Sequence, residues 1–116
     1  MDGMDTARRL IAEEREKKTG FLDLGNLRLT EVPPALFELT HLRSLNLGTG
    51  YIDEHGRFRQ SANGEDENRN ALVTLPEGLD ALDNLIALSL AGNPVSDLGP
   101  LRGLPALQSL VCWGTP

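Results

Sequence analysis

Aromatic residues are scarce in this chain: three Phe, one Tyr and one Trp among 116 residues. A core with so few rings has to be filled by leucine and its relatives, which favours a repetitive, layered interior over an irregular one. Cysteine is scarcer still, since Cys112 stands alone and forms no internal disulfide. With no apolar signal core in the opening MDGMDTARR, a reducing, cytoplasmic setting is expected, and secretion as an effector is the alternative. Runs of eighteen apolar residues are missing, so no spanning helix is expected. Clustered positive charge is missing too. Lys and Arg number 11 against 17 Asp and Glu, a net charge of −6, so neither duplex nucleic acid nor an anionic membrane is expected as a partner.

The residue sets that carry chemistry are also lacking. His41 and His55 lie far apart, and no cysteine or histidine pair has zinc-ligand spacing. Asp53-Glu54-His55 puts carboxylates beside an imidazole, but sequence neighbours rarely converge on one point, so a surface turn is expected. Gly48-Thr49-Gly50 lacks the glycine and lysine of a phosphate-cradling loop. No serine has a plausible base and oxyanion partner. No catalytic residue, cofactor or metal is therefore expected.

What is present is a period. Aligning the L-x-L pairs places Leu22, Leu45, Leu88 and Leu110 in one column and Leu24, Leu47, Leu90 and Cys112 in the next. The first-column spacings are 23, 43 and 22, so the middle interval is one repeat carrying an insertion of about 20 residues, Gly50 to Arg69. L-x-x-L-x-L-x-x-N-x-L stands intact at Leu85, Leu88, Leu90, Asn93 and Val95, and Asn70 resumes the asparagine column after the insertion. Leu27 and Thr115 occupy that column in the first and last units, which leaves their turns without the asparagine's hydrogen bonds. Val32-Pro33-Pro34, Leu75-Pro76 and the shorter Leu98 to Leu104 fill the second halves of the units, where proline suits short helical turns and would damage a central strand.

These columns resemble the leucine-rich repeat family, over roughly residues 19–116. The resemblance implies an α/β solenoid: a horseshoe segment with short parallel strands on its concave face and 3₁₀ or short helical turns on its convex face. An N-terminal capping helix is expected within residues 1–20, and about three and a half repeat units over 21–116. In that helix Met4, Ala7, Leu10 and Ile11 share a face. Asp2 or Asp5 caps the start and Gly20 ends it, and Glu13–Lys17 and Glu14–Lys18 pair on the wet side.

The outward positions of the strands form the expected binding face: Asp23, Asn46, Ser89 and Val111 in one column, then Gly25, Gly48, Ala91 and Trp113. Trp113 is its most anchor-like residue. The insertion adds Tyr51, Arg57, Phe58 and Arg59, a mixture enriched in interface anchors, either on a loop open to a partner or on a hairpin around His55-Gly56 that packs its own aromatics down on the repeat turns. Ser61 to Arg69 reads as a removable surface loop. Cys112, in a leucine column, is expected to be buried and inert. The final LQSLVCWGTP stops in mid-repeat and is expected to expose apolar surface and a strand edge, through which two chains could pair as a homodimer.

The stretch KKTG followed by FLDLGNLRLTEVPPALFELTHLRSLNLG is similar to the repeat regions of bacterial Roco-type multidomain signalling proteins. That similarity implies a protein-binding module attached to a GTPase or other output domain. A stand-alone effector that occludes a target protein, and substrate-selecting repeats of a ubiquitin ligase, are the alternatives.

Overall fold

The computed structural model describes residues 2–114. Helix α1 (Gly3–Lys17) precedes six strands: β1 (Phe21–Asp23), β2 (Ser44–Asn46), β3 (Gly50–Ile52), β4 (Phe58–Gln60), β5 (Ala87–Ser89) and β6 (Ser109–Val111). Four of these form a parallel sheet in the order β1-β2-β5-β6, and Leu22, Leu45, Leu88 and Leu110 are register partners across it. The leucine columns are thus the rungs of a short leucine-rich solenoid.

Where each strand begins, one carbonyl of the preceding rung takes two amides of the next. The Gly20 oxygen accepts from the amides of Arg43 and Ser44 at 2.9 and 3.0 Å, and the Arg43 oxygen accepts from those of Ile86 and Ala87 at 2.7 and 3.0 Å. The Ile86 oxygen accepts from Gln108 and Ser109 at 2.8 and 3.0 Å. Buried leucines from the strands meet Leu36, Leu39, Leu79 and Leu82 from the opposite side. There Pro33 and Pro76 introduce 3₁₀ turns over Pro34–Glu38 and Glu77–Ala81, as their fixed φ and missing N–H dictate. The turn Gly99–Gly103 of the shortened unit buries no residue of its own.

The asparagine column closes the rungs from inside. The Asn70 side chain accepts from the amides of Leu27 and Leu29 at 3.1 and 2.9 Å and donates to the carbonyls of Leu24 and Leu47, both at 2.9 Å. The first unit, with Leu27 in the asparagine place, is therefore not left open: the next rung's asparagine reaches back to satisfy it. Thr115 and Pro116, which continue the pattern in the sequence, lie outside the described residues.

Four rungs do not draw the expected horseshoe. The molecule extends 32 × 32 × 30 Å, because the helix closes one end of a short stack and the insertion fills its strand face.

α1 departs from expectation at three points. Asp2 caps it, accepting from the Asp5 amide at 2.9 Å, but it ends at Lys17 with Lys18 in the left-handed region (φ 50°), so Gly20 is not its stop. Ala7 and Ile11 lie buried against the first rung as expected, and Glu14 is buried beside them rather than on the wet side. Its carboxylate accepts from Thr19 Oγ1 at 2.7 Å and the Gly20 amide at 2.8 Å, and meets His41 Nε2 at 2.8 Å. Glu13 is held by Arg9 at 2.9 Å instead of Lys17.

Burial pushes the Glu14 pKa up, but the hydrogen bonds from Thr19, His41 and Gly20 together outweigh it and hold the carboxyl below its ordinary value of 4.5. A carboxyl lowered in the folded state stabilises above its unfolded pKa, and that contribution is lost as pH falls through the folded value. Urea unfolding should show wild type more stable than Glu14→Gln at pH 7, with the gap shrinking as pH falls below the ordinary carboxyl value of 4.5. A gap independent of pH would contradict the role given to this carboxylate.

Candidate protein interface

The insertion is a hairpin. β3 and β4 pair antiparallel with Gly50 opposite Gln60, Tyr51 opposite Arg59 and Ile52 opposite Phe58. Side chains alternate across a strand, so Tyr51 and Arg59 share one face and Ile52 and Phe58 the other. At the tip, Asp53 folds the turn about its own carboxylate, which accepts from the amides of His55 and Arg57, both at 2.9 Å, and from Arg59 Nε at 2.8 Å. The Arg59 guanidinium above all, with these amides, brings the Asp53 carboxyl down to about 2.

This hairpin stands on the strand face. The Ser89 hydroxyl, in the third rung, donates to the Gly50 carbonyl. Tyr51 packs on Phe21 on one side, with ring centroids 4.9 Å apart, and Phe58 packs on Trp113 on the other, at 5.3 Å. β3 lies half-buried against the sheet while β4 is wholly exposed, so the hairpin is a fin set on its β3 edge.

Asp23 is the anchor of the fin's base. Its carboxylate accepts from Ser61 Oγ, Asn46 Nδ2 and the Ala62 amide, each at 2.9 Å, and from the Gly25 amide at 3.0 Å. Further along, Asn63 donates to the Asp23 and Gly25 carbonyls, Asn26 donates to the Gly64 carbonyl, and the Arg28 amide donates to the Asn68 carbonyl. Residues 61–69 are therefore laced to the first rung. They are not the removable loop that the sequence suggests.

The expected binding column must be corrected accordingly. Asn46 and Ser89 are 0 and 2 % exposed and Val111 is 8 % exposed, all beneath the fin, and Asp23 is committed to holding it. Gly25, Gly48 and Ala91, in the second column, are buried where successive rungs touch: a Cβ on Gly48 would lie 2.4 Å from the Ala91 amide nitrogen.

The other candidates lie at the surface. Phe58 and Trp113 are 52 and 51 % exposed even while touching each other, and Arg57 and Arg59 are exposed on or beside β4. The last rung inverts the expected pattern. Its inward residue Leu110 is 37 % exposed while its outward residue Val111 is buried, since the fin covers one side and, among the described residues, no strand lies beyond β6. For the same reason Cys112 is half-buried rather than sealed in a core.

A second feature is one the sequence reasoning did not assemble. Under the fin's tip, on the Tyr51 side, Thr19, Phe21, Ser44, Tyr51, Asp53 and Glu54 line a cleft of about 350 Å³. It adjoins a lobe of about 370 Å³ that reaches Arg43, Ile86 and Ser109. The Tyr51 phenol is made less acidic by burial first, then by the Asp23 and Asp53 charges, against the opposing Arg59. A larger recess, about 830 Å³, runs past Glu67, Arg69, Gly92 and Pro94 and has no aromatic wall.

Among the described residues no group of three His, Cys, Asp or Glu side chains is placed to hold a metal ion, and no helix is long and apolar enough to cross a membrane. Glu54 and His55 approach only to 3.7 Å and both lie open to solvent.

No family model and no curated protein matches the chain. Among solved structures, it is similar to the crystal structure of an internalin from Listeria monocytogenes, with 21% identity, a TM-score of 0.43, and coverage of 82% of this chain and 28% of that one. The chain thus spans about a quarter of the internalin's length. Its leucine-rich repeat character rests on its own register and asparagine ladder.

Proposed function

We propose that this chain is a non-catalytic protein-interaction module that meets a protein partner through the fin's flank and the last rung. The observation that carries the reading is the half-exposed Phe58–Trp113 pair at the last rung, whose strand β6 has no further neighbour among the described residues. Aromatic side chains in such patches are where interface energy concentrates. A photocrosslinking residue at position 113, in cells that express the protein, should give a discrete protein adduct that is lost in Phe58→Ser. The same group at exposed Ala12, on α1 at the opposite end of the sheet, should give none. Equal adducts from both positions would contradict the reading.

A second reading follows from the two ends of the sheet. α1 packs on β1, whereas β6 has no further neighbour among the described residues, and two copies pairing there would cover that strand edge. Light scattering at rising concentration should then show a homodimer that Leu110→Ser with Trp113→Ser abolishes. A monomer at millimolar concentration contradicts it.

The sequence resemblance of FLDLGNLRLTEVPPALFELTHLRSLNLG supports a narrower reading, in which the module serves a larger bacterial signalling protein of Roco type. Occlusion of a target by an effector, or substrate selection for a ubiquitin ligase, are its alternatives. A GTP-binding loop encoded downstream of Pro116 selects the first, and a stop codon there favours the effector.

A further inference from the structure

The cleft beneath the fin's tip has a chemistry of its own. Two aromatic rings form one wall, Phe21 and Tyr51, tilted 42° to each other with centroids 4.9 Å apart. Asp53 and Glu54 overhang it from the hairpin turn, and the Thr19 and Ser44 side chains border it below. Ring faces and carboxylates both attract cations, and together they suit a guanidinium or ammonium on an aliphatic stem.

The surrounding charge points the same way. Asp23 lies behind Tyr51, and the negative groups there outweigh Arg59 in their effect on the phenol. Arg59 itself, which shares a hairpin face with Tyr51, is paired with Asp53 at 2.8 Å. The wall thus already holds one guanidinium of its own. Glu54 keeps its side chain 86% exposed, with His55 Nε2 3.7 Å from its carboxylate. Among the residues that line the cleft none is a cation, and Arg43 lines the adjoining lobe.

We propose that the cleft between the Phe21–Tyr51 ring pair and the Asp53–Glu54 turn receives the cationic side chain of an arginine or lysine presented by the protein partner. The proposal deepens the protein-interaction reading and rests on it, at a site separate from Trp113. The cationic anchor gives the partner an orientation, while the Phe58–Trp113 patch on the opposite flank of the fin supplies apolar contact.

The test is an NMR titration of the full chain with N-acetyl-argininamide, and in parallel with N-acetyl-citrullinamide, which has the same shape without the charge. The arginine compound should give saturable shifts at the amides of Thr19, Ser44, Tyr51 and Glu54. The citrulline compound should bind at least fivefold more weakly, and Glu54→Gln, a change at an exposed side chain outside the fold's hydrogen bonds, should weaken arginine by a similar factor. Tyr51→Leu should do the same through the lost ring face, with unchanged unfolding of Glu54→Gln as the control for folding. Equal binding of both compounds, shifts centred elsewhere, or indifference to Glu54→Gln would overturn the proposal. A Trp113 crosslink to a partner with no arginine shift in this cleft would sink the cleft alone, and failure of both would sink the interaction reading as well.

Discussion

Replacing Asn70 with alanine should lower stability by about 4 kcal/mol, several times the cost of the same change at Asn93, although both fill the asparagine column. The two residues are equally buried, at 1 and 0 % exposure. They differ in what is orphaned when they go. Without Asn70 the amides of Leu27 and Leu29 and the carbonyl of Leu24 lose their side-chain partner inside the core, and only the Leu47 carbonyl keeps another donor, Asn93. Without Asn93 the Leu47 carbonyl keeps Asn70, the Leu90 carbonyl keeps the residue 93 amide, and only the Leu72 amide is stranded. Each buried group left unpaired costs about 1–3 kcal/mol, so the first change approaches the whole stability of a small domain, commonly about 5–15 kcal/mol, and the second does not. Urea unfolding of both variants checks the ranking, and equal losses would contradict it.

Asp23→Ala should cost about 3 kcal/mol and, more tellingly, should loosen the fin. It removes the shared acceptor of Ser61, Asn46, Ala62 and Gly25. Asp23→Asn should recover little, because an amide presents a donor where the Ala62 amide or the Asn46 side chain also donates. Hydrogen exchange should show the amides of Tyr51, Asp53 and Ser61 losing protection while Leu47 and Leu90, held by the parallel ladder, keep theirs. Uniform loss across both sets would mean that the fin and the rungs unfold as one unit.

The rungs were legible because their signal is repeated. Each leucine column is stated four or nearly four times, and the periods of 23 and 22 leave one register. The fin was half legible. The runs YID and RFRQ around His55-Gly56 announce a hairpin, but a hairpin's own pattern does not say what it stands on. That is decided by contacts between residues about 40 positions apart, such as Asp23 with Ser61 and Ala62 and Ser89 with Gly50. One cue was present: the outward column carries a carboxylate and two small polar side chains, Asp23, Asn46 and Ser89, which are groups that a covering backbone can pair with. Glu14 was misread although its spacing was informative. Positions 7, 11 and 14 fall on one helical face, and the pairing rule that assigned Glu14 to Lys18 overlooked that it shares the stripe of Ala7 and Ile11.

The cleft was beyond sequence reasoning for a different reason. Thr19 and Phe21 come from the start of the first rung, Ser44 from the second, and Tyr51, Asp53 and Glu54 from the fin, so it exists only once the fin is seated. Both proposed contact regions therefore depend on one claim, that the hairpin closes the strand face and presents its own flanks in exchange.

Thiol labelling measures that claim most directly. In a Cys112→Ala background, a cysteine introduced at Ser89 should be protected in the native protein and react only as fast as the fin opens, while one introduced at Arg57 should react like a free thiol. Comparable fast labelling at both positions would show the strand face to be open and would contradict the account.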